Sequence, residues 1–174
     1  RSTEIHQKYK REIDVMRERL DEAQSVARTD HLTKLPNRTA HEFYLHAAIA
    51  KAKDGAPFAL ALLDLNDFKS INDTYGHGAG DLALVAMANS LKSCLGKDGF
   101  VSRLAGDEFT VVYRGSAARL TTKLEQFDAY LDANPLSVGP EESITIGACY
   151  GVCDIDGKLD YSNAMKLADE RMYA

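Results

Sequence analysis

The spacing of apolar positions changes several times along this chain, and each change marks an element. In the first 28 residues Tyr9, Ile13, Met16, Leu20, Ala23 and Ala27 recur at steps alternating between four and three. A narrow seam of this period, free of Gly and Pro and flanked by both signs of charge, predicts a coiled-coil helix of about three heptads. The competing reading is a solvated helix packed on its own domain. Thr29 to Arg38 breaks the helical pattern, and Pro36 puts a boundary near Leu35. Helices are expected over 38–53, 80–95 and 117–133, and a last one opens at Tyr161 and runs to Tyr173. Strands are expected over Phe58–Asp64, near 100–104 and 109–114, and over Ser143–Val152. Residues 1–28 then form a separate helix and residues 29–174 one domain. The order βαββαβ with flanking helices places that domain in the α+β class, with a ferredoxin-like core and an antiparallel central sheet.

Composition narrows the function. A chain of 174 residues supports one domain with a substantial core. Its net charge of −5 lacks the basic footprint of a nucleic-acid binder. Three cysteines without framework spacing point to a reducing compartment, hence to the cytoplasm. Cys149 and Cys153 read as thiols on one strand face rather than as zinc ligands. No run approaches the roughly 20 apolar residues of a membrane span, so no membrane contact is expected. Beginning at Arg1, the chain reads as a fragment whose helical seam continues upstream and whose last helix is cut short.

Two segments carry candidate chemistry. Arg103-Leu-Ala-Gly-Asp-Glu-Phe109 sits between two β-rich runs, so Asp107 and Glu108 lie at or just beyond a hairpin tip. Asp64 ends another apolar run. If the two elements are neighbours, Asp64 and Asp107 can share one Mg²⁺, which takes one or two carboxylates plus substrate phosphates. A calcium loop fits less well, since Phe68 stands where a ligand is needed and the sixth position lacks Gly. The structural alternative for Asp64 is a strand-end acid capping a turn. In the stretch Asn72 to Asp81, three glycines permit close backbone approach to a ligand, but no P-loop pattern is present. Asn72 and Asp81 together suit a guanine base. Equally, Asp81 could cap the following helix while Asn72 stabilises a turn.

Taken together, these motifs resemble the GGDEF family of diguanylate cyclases, with Ala105 in place of the first Gly of the signature. The resemblance spans Arg28 to Ala174 and rests on Asp30-x-Leu-Thr-x-Leu-Pro-Asn-Arg38, Asp64 to Lys69, Asn72-Asp-x-Tyr-Gly-His77 with Gly80-Asp81, and Arg103 to Phe109. Ser143 to Gly147 and the closing Ala168-Asp-Glu-Arg-Met-Tyr173 agree as well. It implies a nucleotidyl-cyclase-like fold and condensation of two GTP into cyclic di-GMP, with release of pyrophosphate. The reaction would occur in a homodimer of facing domains joined by the N-terminal helix, below an upstream sensor domain. By motif position Asp64, the Leu65 carbonyl, Asp107 and Glu108 would hold Mg²⁺, with Mn²⁺ as an alternative. Asp107 would also accept the proton. Asn72, His77 and Asp81 would bind the nucleotide, Phe68 and Lys69 would lie near its phosphates, and Leu84 would line the base pocket. Three departures stand out. Ala105 needs negative φ or strain. Asn66 replaces a common acid. Gly96 and Gly99 replace the charged pair of the family's product-inhibition site. The alternative implied is a catalytically weak GTP-binding domain that regulates an attached cyclic-di-GMP phosphodiesterase, and a further one is a signalling module with a vestigial site.

Overall fold

Alternate residues of one strand feed two separate cores, and the architecture follows from that. The computed structural model describes residues 2–174. Strand β1 (Phe58–Leu65) is buried along most of its length. Its Ala59, Ala61, Leu63 and Leu65 join one hydrophobic cluster, while Phe58 and Leu60 join another. A strand covered on both faces reads as a continuous apolar run rather than an alternating one, as this segment does.

Around β1 lie β2 (Gly99–Ala105), β3 (Glu108–Tyr113) and β6 (Ala148–Ile155), in the spatial order β2-β3-β1-β6. All three pairings are antiparallel. β3 therefore separates β1 from β2, the split arrangement expected from the sequence. Helices α4 (His77–Leu95) and α5 (Ala117–Ala133) cover one face through Leu84, Met87, Leu91, Leu120, Leu124 and Phe127. Helices α2 (Arg38–Lys53) and α6 (Tyr161–Met172) cover the other through Leu45, Ala48, Ile49, Ala164 and Ala168.

Three expectations need correction. The polar stretch after β1 holds a short helix, α3 (Phe68–Tyr75), whose Ile71 reaches the core with Phe68 packed against it, while most of its other side chains are polar and exposed. Helix α4 starts at His77, not at Gly80. The single strand expected over 143–152 is two elements. β5 (Ser143–Ile144) pairs with β4 (Leu136–Ser137), and β6 begins only at Ala148. Between them Gly147 turns its carbonyl to the Asn66 amide, at 2.8 Å, instead of continuing a ladder.

Helix α1 (Ser2–Arg28) is exposed from Thr3 to its end. Tyr9, Ile13, Met16 and Leu20 are each half or more exposed, so the seam does not pack on its own domain. The base of α1 is nevertheless held. The Asn37 side chain donates to the Ala27 carbonyl at 2.9 Å and its Oδ1 caps α2 by accepting from the Ala40 amide. The Asn37 amide donates to the Arg28 carbonyl at 2.8 Å.

His41 of α2 is fully buried, with Nδ1 2.9 Å from the Thr110 hydroxyl. Burial, with the nearby Arg38 charge, pushes its pKa down to about 4. The folded protein thus refuses a proton that the unfolded chain takes up below about pH 6.5. Stability is expected to fall by about 2 kcal/mol between pH 7 and pH 5 through this residue. Urea unfolding of the wild type and His41→Gln at both pH values checks this. Equal losses in the two proteins would remove His41 as the cause.

Candidate catalytic and nucleotide site

The register of β1 against β3 sets Asp64 directly opposite Glu108. Beyond β1 the chain is pinned on two sides. The Leu65 amide donates to the Asp107 carbonyl at 3.1 Å, and the Asn66 amide to Gly147. Asp64 and the β2–β3 turn are therefore neighbours, as the metal reading required. The turn itself is unstrained at the departing position. Positive φ falls on Gly106 (49°), and Ala105 stays in the ordinary region. The Gly-to-Ala replacement thus costs the turn nothing by its backbone.

Asp64 and Glu108 open into a cavity of about 380 Å³ that is also lined by Arg38, Leu104, Lys166 and Asp169. The Arg38 guanidinium lies 3.9 Å from the Glu108 carboxylate. The Tyr173 hydroxyl donates to Asp64 Oδ2 at 3.1 Å. Partial burial raises the Asp64 pKa, the Tyr173 hydrogen bond opposes the rise, and the charges of Asp107 and Asp169 add to it. A group in this position gains from a cation. Among the described residues no three His, Cys, Asp or Glu side chains converge into a ready metal cage. The donors here are all hard oxygens, carboxylates and main-chain carbonyls. That set fits Mg²⁺, which keeps open positions for phosphates, better than a metal bound by protein ligands alone.

The second half of the site lies across α3 and α4. Asn72 sits in the last turns of α3, its side chain against Gly80, where any Cβ would collide with it. Asp81 is exposed on the adjoining turn of α4. The capping role for Asp81 falls away, because α4 starts at His77 after Gly76 and has no side-chain cap. Asp67 takes a left-handed conformation (φ 55°) and starts α3 at Phe68, with Lys69 exposed beside it. Leu84, expected on the base pocket, is only 1% exposed and packs in the core.

Sequence reasoning left out Arg38 and Asp169, which line the acidic cavity, and Tyr173, which donates to Asp64. Asp169 and Tyr173 are four apart near the end of α6 and so share a helix face, which was the available signal. It also left out a latch. Asp30 Oδ2 accepts from the Thr33 amide and hydroxyl at 2.8 and 2.7 Å. Both Asp30 carboxylate oxygens lie 3.2 Å from Arg103 Nη1. Arg103 Nε donates to the Gly106 carbonyl at 2.9 Å. Burial alone would raise the Asp30 pKa, but these bonds and the Arg103 charge hold it below the usual carboxylate range. The segment after α1 is thus tied to the turn that carries Asp107.

Residues 27–174 match the family described as diguanylate cyclase, GGDEF domain. Among curated relatives, the chain is 34% identical over 157 residues to the diguanylate cyclase DgcP of Pseudomonas aeruginosa, covering 88% of this chain and 23% of that protein. It is 39% identical over 154 residues to the bifunctional diguanylate cyclase/cyclic di-GMP phosphodiesterase MucR of the same organism, covering 85% and 22%. The chain therefore spans less than a quarter of the length of these two relatives. Among solved structures, the coiled coil and GGDEF domain of DgcB from Caulobacter crescentus, in complex with c-di-GMP, superposes with a TM-score of 0.87 at 29% identity. That similarity covers 95% of this chain and 88% of that one.

Asp30→Ala is expected to lower stability by about 2 kcal/mol, because the half-buried Arg103 loses its charged acceptor. It should also speed hydrogen exchange at the 106–108 amides. Arg103→Lys should not restore protection, since one ammonium cannot span the carboxylate and the Gly106 carbonyl. Unchanged exchange in Asp30→Ala would show that the latch does not hold the turn.

Proposed function

Because the chain belongs to the GGDEF family of diguanylate cyclase domains, we propose that it condenses two molecules of GTP into cyclic di-GMP and pyrophosphate. The observation that carries this reading is the placement of Asp64 opposite Glu108, with the Leu65 amide bonded to the Asp107 carbonyl. In this reading Asp64, the Leu65 carbonyl, Asp107 and Glu108 hold Mg²⁺ or Mn²⁺. The ion would neutralise charge developing on the transferred phosphoryl group. Asp107 accepts the proton from the attacking 3′-hydroxyl. Lys69 and the amides that open α3 face the phosphates, and Arg38 and Lys166 add positive charge to the cavity wall. Asp81 accepts from the guanine N1 and N2 hydrogens while Asn72 pairs with another edge of the base. His77 lies between them in sequence, on the first turn of α4.

Each domain holds half of the reaction, so two must face each other. The seam of α1 supports that association, because Ile13, Met16 and Leu20 are half or more exposed among the described residues. Joining two domains raises their mutual effective concentration without any new contact at the site. Phosphoryl transfer leaves little covalent work to the protein, so alignment by these carboxylates and helix ends supplies most of the rate.

Incubation with GTP and Mg²⁺ should yield cyclic di-GMP by chromatography. Asp107→Asn should reduce turnover about 100-fold or more with an unchanged melting temperature. GTP bound without any product would favour a regulatory role over catalysis. Asp81→Ala should weaken GTP binding by about 10-fold or more and leave ATP binding nearly unchanged, measured by calorimetry. Equal losses for the two nucleotides would remove the guanine assignment.

A further inference from the structure

Helix α6 approaches β6 more closely than a side chain would allow. A Cβ on Gly151 of β6 would run into the Ala168 carbonyl and the Met172 amide of α6. Ala164 and Ala168 are fully buried along the same face. Arg171 Nη1 donates to the Val152 carbonyl at 2.8 Å, and Asp160 caps the other end of the helix by accepting from the Asn163 amide. The end of α6 is thus seated on the sheet by main-chain contact. Tyr173 follows directly, and its hydroxyl reaches Asp64.

Tyr173 is the only side-chain donor to Asp64 among the described residues. Although the Tyr173 ring is largely exposed, a carboxylate that accepts this bond through Oδ2 is biased to one orientation, with Oδ1 left for a further partner. The geometry points to Tyr173 as a positioning residue that orients Asp64 for the metal, with the Gly151 contact between β6 and α6 setting where its hydroxyl stands. This rests on the reading of Asp64 as a metal ligand. It adds that a residue in the middle of β6, with no side chain, governs metal affinity.

The test is Mn²⁺ binding to the full chain in the presence of a non-hydrolysable GTP analogue, read by electron paramagnetic resonance. Tyr173→Phe should weaken Mn²⁺ binding about 10-fold. It should leave binding of the analogue in EDTA and the melting temperature unchanged, which a merely structural loss would not do. Gly151→Ala should lift α6 from β6 and weaken Mn²⁺ binding to a similar extent. The double variant should be no weaker than Gly151→Ala alone, since both changes remove one interaction. If Gly151→Ala does not fold, Tyr173→Phe decides by itself. Mn²⁺ binding to Tyr173→Phe as tight as wild type or tighter, with Asp64→Asn abolishing it, would overturn the positioning role alone. Intact Mn²⁺ binding in Asp64→Asn would overturn the metal reading and the positioning role together.

Discussion

Every second residue of β1 belongs to a different core, and this fixes its pairing with β3 and β6. A slip of one residue would exchange the two cores and would turn Asp64 to the opposite face of the sheet. Ala59 and Ala61 sit beneath the α4 and α5 side, whereas Phe58 and Leu60 sit beneath α2 and α6. Neither side tolerates the other's volumes, because interiors are packed to crystal-like density. The position of the acid opposite Glu108 is therefore set by the bulk hydrophobic packing of the domain. No special interaction at the site has to select it.

The surroundings of Asp64 are fixed in the same spirit, by main-chain bonds more than by side chains. The segment after β1 is held by the Asp107 and Gly147 carbonyls, and the end of α6 by contact with Gly151. Main-chain anchors require no additional side-chain ordering and cannot swing away as long side chains do. Carboxylates gathered on such a frame repel one another. In the proposed function a bound cation would offset that repulsion, on a frame arranged ahead of it.

Much of this was legible in the chain. The period changes predicted α2, α5, the β2–β3 hairpin and the antiparallel α+β sheet, and the continuous run Phe58–Asp64 predicted a strand ending in an acid. Other parts were hidden for definite reasons. α3 is only eight residues long and mostly polar, so its one deep residue, Ile71, leaves no periodic signal. The break before β6 is made by a long-range bond between Asn66 and Gly147, which no local window contains. Leu84, placed on the base pocket by the resemblance alone, is buried in the core cluster that Ala88 also joins. The Asp30–Arg103 latch spans 73 positions, and its two charges look like ordinary surface residues until the fold brings them together.

The junction at Asn37 has a mechanical consequence. A helix of 27 residues is a rod of about 40 Å, rigid compared with a loop. Its foot is clamped by one asparagine to the start of α2, and the next few residues grip the acidic turn through Arg103. Torque applied at the far end would reach that turn through the segment that follows α1, whose Leu35 is rooted in the core beneath α4 and α5.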